Sequence, residues 1–226
     1  MSHKEFLKIL PELAKNYEPA EDVHSHIGKV SLLMTVGPSS VGKTTVMRGL
    51  ELPYVPSDTT RVRRRGEVDG VDYHFRDDYS AVADDIVDGR FVQIVIGPGG
   101  DLYATKDSSY PESGPATMAV MTDVIPVFRN LGFKRLIGAF IVPPDYSEWM
   151  RRISVRNFND EDLQKRLAEA RRSLSFAIQD KQMHFILNDE PTLAISQTKN
   201  LLEGRTDKDR EEKAKSAAEA ILEQLS

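Results

Sequence analysis

An α/β fold on a mainly parallel, doubly wound sheet is what this sequence predicts, from three observations. Apolar runs of strand length, at 29–37, 90–96, 117–122, 135–142 and in the shorter HFILN at 184–188, alternate with segments whose apolar residues recur at helical spacing. That is the pattern of strands joined by crossover helices. The first run passes through a glycine-rich stretch at 37–45 directly into a helix start. The chain has 226 residues at 40% hydrophobic and 29% charged content, enough for one large or two small domains with a full core.

The elements follow in order. Phe6, Leu10, Leu13 and Tyr17 share one helical face, so the chain opens with a short amphipathic helix that Pro11 strains. Residues 16–28 (NYEPAEDVHSHIG) read as a linker. The run 29–37 is a buried strand, and a helix begins at Lys43 and stops before Pro53. Val82, Ile86 and Val87 carry a helix ended by Gly89; 90–96 is a strand, and Gly97, Pro98, Gly99 and Gly100 turn the chain. Strands at 117–122 and 135–142 flank a helix that ends near Gly132. A helix over 144–154 takes Ser147 as its cap, although Met150 stands where a capping box has Glu or Gln. A long helix starts at Asn159 or Asp160 with an acidic first turn. The HFILN strand and a helix over 192–202 on its far side come next. The Ala-, Glu- and Lys-rich tail reads as a solvent-facing helix with Ala218, Ile221, Leu222 and Leu225 on one side.

Composition excludes several function classes. The net charge of −5 argues against nucleic acid as a partner, which calls for a basic face. The chain has no cysteine, so disulfides and thiolate metal sites are excluded, and a reducing, cytoplasmic setting fits. Lys4, Glu5, Lys8 and Glu12 interrupt any signal-peptide core. No run approaches the ~20 apolar residues of a membrane span, so no membrane partner is expected.

The stretch GPSSVGKTT (37–45) matches G-x-x-x-x-G-K-[ST] between a strand and a helix, the context that a phosphate-binding loop requires. Gly37 and Gly42 allow the backbone to wrap its amides round a phosphate, Ser39, Ser40, Val41 and Thr45 belong to the same cradle, and the helix N-terminus adds positive potential. Lys43 reaches the β- and γ-phosphates, and the Thr44 hydroxyl can bind Mg²⁺. The expectation is a P-loop protein that binds a nucleoside triphosphate with Mg²⁺.

Residues 57–75 (SDTTRVRRRGEVDGVDYHF) place Arg61, Arg63, Arg64 and Arg65 ahead of Glu67, Asp69 and Asp72. By charge alone these arginines suit a nucleic-acid backbone, a partner protein or one small phosphate. The two stretches together resemble the guanylate kinase family, through the run T-T-R-x-x-R-x-G-E-x-D-G-x-D-Y-x-F, and the resemblance covers roughly 29–205. It implies a small, partly β monophosphate-binding insert at 57–108 and a helical lid at 145–172, within a domain at 29–205. Residues 1–28 and 206–226 would be extensions. It also implies that Arg61, Arg64, Tyr73 and Tyr103 hold an acceptor phosphate, and that Ser57, Thr105, Gln93 and Asp123 face its base. Arginine suits the phosphate role because its planar fork donates two hydrogen bonds and keeps its charge. Arg63 and Arg65 match no family ligand and read as solvated surface charge, while Glu67, Asp69 and Asp72 would repel a polyanion. The resemblance therefore favours one small phosphate monoester. In RRISVRNFNDEDLQKRL, Arg152, Arg156 and Arg166 match lid arginines that close on the transferring phosphoryl group, and Asn188 in LND matches a donor-base contact.

Three departures bear on the acceptor. Gln93 stands where the family carries a glutamate whose carboxylate accepts from N1 and the 2-amino group of guanine. Met121 replaces a carboxylate near the metal, leaving Asp123 as the second candidate ligand beside Thr44, and the loop IGPGGDLYAT is one residue longer. The implied activity is ATP-dependent phosphorylation of a nucleoside monophosphate, GMP first. The alternatives are another purine or modified nucleotide, a sugar phosphate, or a non-catalytic binding module.

Overall fold

In chain order the elements are α1 (His3–Ala14), α2 (Glu21–Ile27), β1 (Val30–Val36), α3 (Lys43–Leu50), β2 (Ser57–Thr59), β3 (Tyr73–Phe75), α4 (Tyr79–Val87), β4 (Phe91–Ile96), β5 (Leu102–Lys106), β6 (Gly114–Ala119), α5 (Ile125–Arg129), β7 (Arg135–Val142), α6 (Tyr146–Ser154), α7 (Asp160–Gln179), β8 (Met183–Leu187), α8 (Pro191–Leu202) and α9 (Lys208–Gln224). This computed structural model describes residues 1–64, 66–97 and 99–225. The chain divides into two units: Met1–Ser31, Pro53–Ala116 and Pro126–Arg135 form the first, and Leu32–Leu52, Thr117–Ile125 and Leu136–Ser226 the second.

The first unit is built on a mixed sheet of order β3-β2-β5-β4. β2 runs parallel to β3 and antiparallel to β5, and β4 is antiparallel to β5. Phe91, Leu102 and Ala104 on one face of this sheet pack with Phe6 and Leu10 of α1 and with Val82 and Ile86 of α4. α1 tolerates Pro11 and is closed at its start by a capping box between Ser2 and Glu5.

Residues 16–28, expected as a linker, contain α2. Val23 and Ile27, one turn apart, are fully buried, and an i, i+4 apolar pair among polar neighbours is enough to seat a two-turn helix. The Ala20 amide donates to Gly89 O at 3.0 Å, and Arg90 pairs with Asp22 at 2.8 Å. Gly89 has φ +65°, and a Cβ there would lie 2.7 Å from the Ala20 nitrogen, so this glycine serves both the turn and the close approach.

The second unit carries the sheet of order β6-β1-β7-β8, with β7 and β8 parallel. β1 is buried at every residue but Ser31, which is the mark of a strand covered on both faces. The strand at 90–96, counted from sequence in the alternating series and, by the resemblance, within the partly β insert at 57–108, lies in the first unit's sheet. The expected strand at 117–122 lies earlier, at Gly114–Ala119. α6 is capped by Asp145, whose carboxylate accepts from the Glu148 amide at 2.7 Å, and not by Ser147. Val87 is 72% exposed, so the buried face of α4 is Val82 and Ile86 alone. α9 packs on β8 and α7 through buried Ala214, Ala218 and Ile221 and turns only its other side to solvent. Among the described residues no helix is long and apolar enough to cross a membrane.

Candidate active site

In the second unit the chain leaves β1 through a loop of left-handed residues. Gly37 has φ +137°, Ser40 +65° and Gly42 +101°. The glycines are forced: a Cβ on Gly37 would sit 2.7 Å from Ile141 O, and one on Gly42 would strike the Asn188 side-chain amide. Ser40, with its own side chain, holds a conformation L residues rarely adopt, and its buried Oγ has no partner among the described residues. Lys43 donates from Nζ to the carbonyls of Gly37 at 2.6 Å and Pro38 at 2.8 Å. Burial pulls its pKa down to about 8; Glu169 pushes it back up, while Arg166 and Arg156 lower it further. Thr44 and Thr45 are exposed at the first turn of α3.

Three side chains hold the loop from below and beside. Trp149 donates from Nε1 to Ser39 O at 2.9 Å, and Asn188 from Nδ2 to Val41 O at 2.6 Å. Arg152 donates to Asn188 O at 3.0 Å and to Glu148 at 2.8 Å. Asn188 is 3% exposed, so its amide lies under the loop with its donor committed to the backbone. Arg156 is exposed on the segment after α6. Arg166 pairs with Glu169 at 3.0 Å and lies over the Phe158 ring. Arg156, Arg166 and Glu169 all bear on the charge of Lys43. Asp123 is exposed and accepts from the Thr122 hydroxyl at 3.4 Å, and Met121 is 51% exposed.

In the first unit strand register sorts the acceptor residues. Ser57 pairs with Tyr73, Thr59 with Tyr103, and Thr105 with Gln93. Cross-strand partners, and residues two apart on a strand, share a face, so Ser57, Tyr73, Tyr103, Thr105 and Gln93 all lie opposite the helix-packed core. Gln93 reaches that face through a β-bulge. Phe91 pairs with Lys106 and Gln93 with the adjacent Thr105, which leaves Val92 extra and sends Phe91 to the core and Gln93 to the other side.

Arg61 does not present an open fork. Its outer nitrogens meet both Glu67 oxygens at 2.6 and 2.8 Å, and its Nε donates to the Tyr103 hydroxyl at 3.1 Å. The guanidinium also lies 5.0 Å from the Tyr73 ring centre and 5.5 Å from that of Phe75. Arg64 and Arg63 are exposed, and Arg65 lies outside the described residues. The acidic residues brace the loop: Glu67 accepts from the Arg64 amide, Asp72 from that of Val68 and Asp69 from that of Phe75, each at 2.8 Å.

Sequence reasoning missed Glu67, Trp149, Glu148 and Tyr110, whose hydroxyl lies 3.0 Å from Thr105 Oγ1. Two signals could have found them: Trp149 is the chain's single tryptophan, and Glu148 stands four residues before Arg152 on one helix.

No family model matches the chain. It is 32% identical over 189 residues to a guanylate kinase of Nocardia farcinica, covering 78% of this chain and 95% of that one. It is 29% identical over 188 residues to a guanylate kinase of Enterococcus faecalis, covering 76% and 87%. The crystal structure of guanylate kinase from Anaplasma phagocytophilum matches its fold with a TM-score of 0.54 at 20% identity, over 80% of this chain and 88% of that one. On this identity and coverage, the chain belongs to the guanylate kinase family.

Proposed function

We propose that the chain transfers the γ-phosphoryl group of ATP to GMP, giving ADP and GDP. The observation that carries this reading, in a member of this family, is the left-handed loop with the Lys43 ammonium on its Gly37 and Pro38 carbonyls and Arg152 donating to Val41 O. On binding, the triphosphate exchanges the Gly37 and Pro38 carbonyls at Nζ for phosphate oxygens, which relieves the burial of the ammonium. An acceptor phosphate oxygen then attacks the γ-phosphorus in line, and the bond to the ADP oxygen breaks. The acceptor is already a dianion, so no dedicated base is needed. Lys43, Arg152, Arg156 and Arg166 neutralise the charge on the transferring group.

Thr44 and Asp123 offer hard oxygen donors accessible to solvent, and a phosphate-escorted Mg²⁺ needs only one or two protein oxygens. When bound there, Mg²⁺ supplies further positive charge to the phosphates. On the acceptor side, Arg61 donates into the Tyr103 oxygen and so frees the Tyr103 proton for a phosphate. Tyr73 and Arg64 complete that contact, and Ser57, Thr105 and Gln93 take the base. Asn188 supports the loop from the donor side. Nucleotides are thus the partners, and an intracellular pool of them the setting.

A coupled ADP-release assay with ATP·Mg²⁺ and GMP tests the reading. Turnover that Lys43→Ala lowers by about 10²–10³-fold, with the fold kept, is expected. Undiminished rates in that variant would overturn it. A second reading, the same transfer to another acceptor, is favoured by Gln93. A binding module without catalysis is disfavoured by the presence of Lys43, Thr44 and all three lid arginines.

A further inference from the structure

Gln93 is 5% exposed, and its Oε1 has no hydrogen-bond partner among the described residues. A buried acceptor without a donor is costly and uncommon, and this one lies on the face that carries Ser57, Thr105, Tyr73 and Tyr103. The position fits a ligand N–H. A carboxylate here would meet two adjacent donors, which guanine offers at N1 and its 2-amino group. An amide instead offers one acceptor beside one donor, and its complement is the O6 and N1–H edge that guanine and hypoxanthine share.

A second group can separate this edge from adenine's, which offers donor and acceptor in reverse order. Thr105 Oγ1 lies 3.0 Å from the hydroxyl of Tyr110, and burial pushes the Tyr110 phenol up so that it keeps its proton. Either hydroxyl can donate in this pair; in the arrangement where Tyr110 donates to Thr105, which the proposal below takes, the Thr105 hydroxyl donates onward. That donor suits an exocyclic oxygen and opposes an exocyclic amine.

We propose that Gln93 makes this site read the shared edge of 6-oxopurines, so that inosine monophosphate is phosphorylated alongside GMP and the 2-amino group is dispensable. The inference rests on the kinase reading above.

The test is kcat/KM for GMP, IMP and AMP in the wild-type chain and in Gln93→Glu, with calorimetric Kd values for GMP and IMP without ATP. Wild-type IMP within about tenfold of GMP, and a GMP-to-IMP ratio raised roughly tenfold or more by Gln93→Glu, are expected, one unmatched buried hydrogen bond being worth about that factor. A wild-type preference for GMP over IMP beyond about a hundredfold, a ratio unmoved by the substitution, or AMP turned over as well as GMP would each overturn it. If Gln93→Glu does not fold, the wild-type comparison decides alone. Strong GMP turnover with neither turnover nor binding of IMP would sink this inference and leave the kinase reading standing. No turnover with any acceptor, but equal binding of GMP and IMP, would sink the kinase reading and leave the base-edge assignment standing.

Discussion

Glu67 holds both outer nitrogens of Arg61, at 2.6 and 2.8 Å, with the two side chains 19% and 9% exposed. A bidentate, charge-assisted pair this well shielded fixes the plane of the guanidinium. Under the proposed function it also leaves Arg61 acting on the acceptor mainly through Tyr103, to which its Nε donates. Glu67→Gln keeps the shape and removes the charge, and should raise the acceptor KM roughly tenfold with the ATP KM unchanged, a loss of about 1–3 kcal/mol at one charged hydrogen-bonded pair. Initial-rate kinetics in both substrates checks this. An unchanged acceptor KM would mean that the orientation of Arg61 does not matter.

Lys43 gives a pH signature. Burial lowers its pKa to about 8 in the free protein, so the cation that phosphate needs is lost as pH rises through that value. kcat/KM for ATP should fall above pH 8, approaching tenfold per pH unit, while kcat stays level because bound phosphates hold the proton. Folded protein also binds fewer protons than unfolded chain between about 8 and the ordinary 10.5. This group's contribution to stability therefore rises with pH across that window. A pH series of initial rates and of urea midpoints measures both.

Asn188 distinguishes loop support from base recognition. With its Nδ2 on Val41 O and its side chain buried, Asn188→Ala should raise the KM of ATP and of GTP as donors by the same factor, roughly tenfold. A change in the ATP-to-GTP preference would assign the residue to the donor base instead.

Phe6 is fully buried in the cluster with Leu10, Val82 and Phe91. Phe6→Ala should cost about 3–5 kcal/mol in urea denaturation. A loss below about 1 kcal/mol would mean that α1 is dispensable to the first unit.

Long elements with strong periodicity are legible in the sequence: β1, β7, α7 and the phosphate loop lie within a residue or two of where it places them. Register places Ser57, Tyr73, Gln93, Tyr103 and Thr105, which the resemblance groups together, on one face of the first unit's sheet. α2 is not legible, because Val23 and Ile27 are too sparse to stand out from the polar residues around them. The place of β4 is not legible in the residue pattern alone, since an apolar run does not say which sheet it joins; only the resemblance sets 90–96 within the insert. The bulge at Val92 is invisible in residue type: it is a matter of register, set by pairing with β5. The Arg61–Glu67 pair is hidden for a related reason. A carboxylate six positions from an arginine becomes its partner only once the chain has turned back between them, where Gly66 stands at positive φ.

The braced loop at 61–75 also shapes how an acceptor approaches. Four arginines there stand against three carboxylates, and Glu67, Asp69 and Asp72 are each fastened to a backbone amide a few residues away. Four positive against three negative charges within this short stretch leave little net charge to act beyond a Debye length, about 8 Å at physiological ionic strength. The most arginine-dense stretch of the chain is thus electrically quiet from afar. It does not draw anions in by a long-range field, so an acceptor arrives by ordinary diffusion and is selected only on contact.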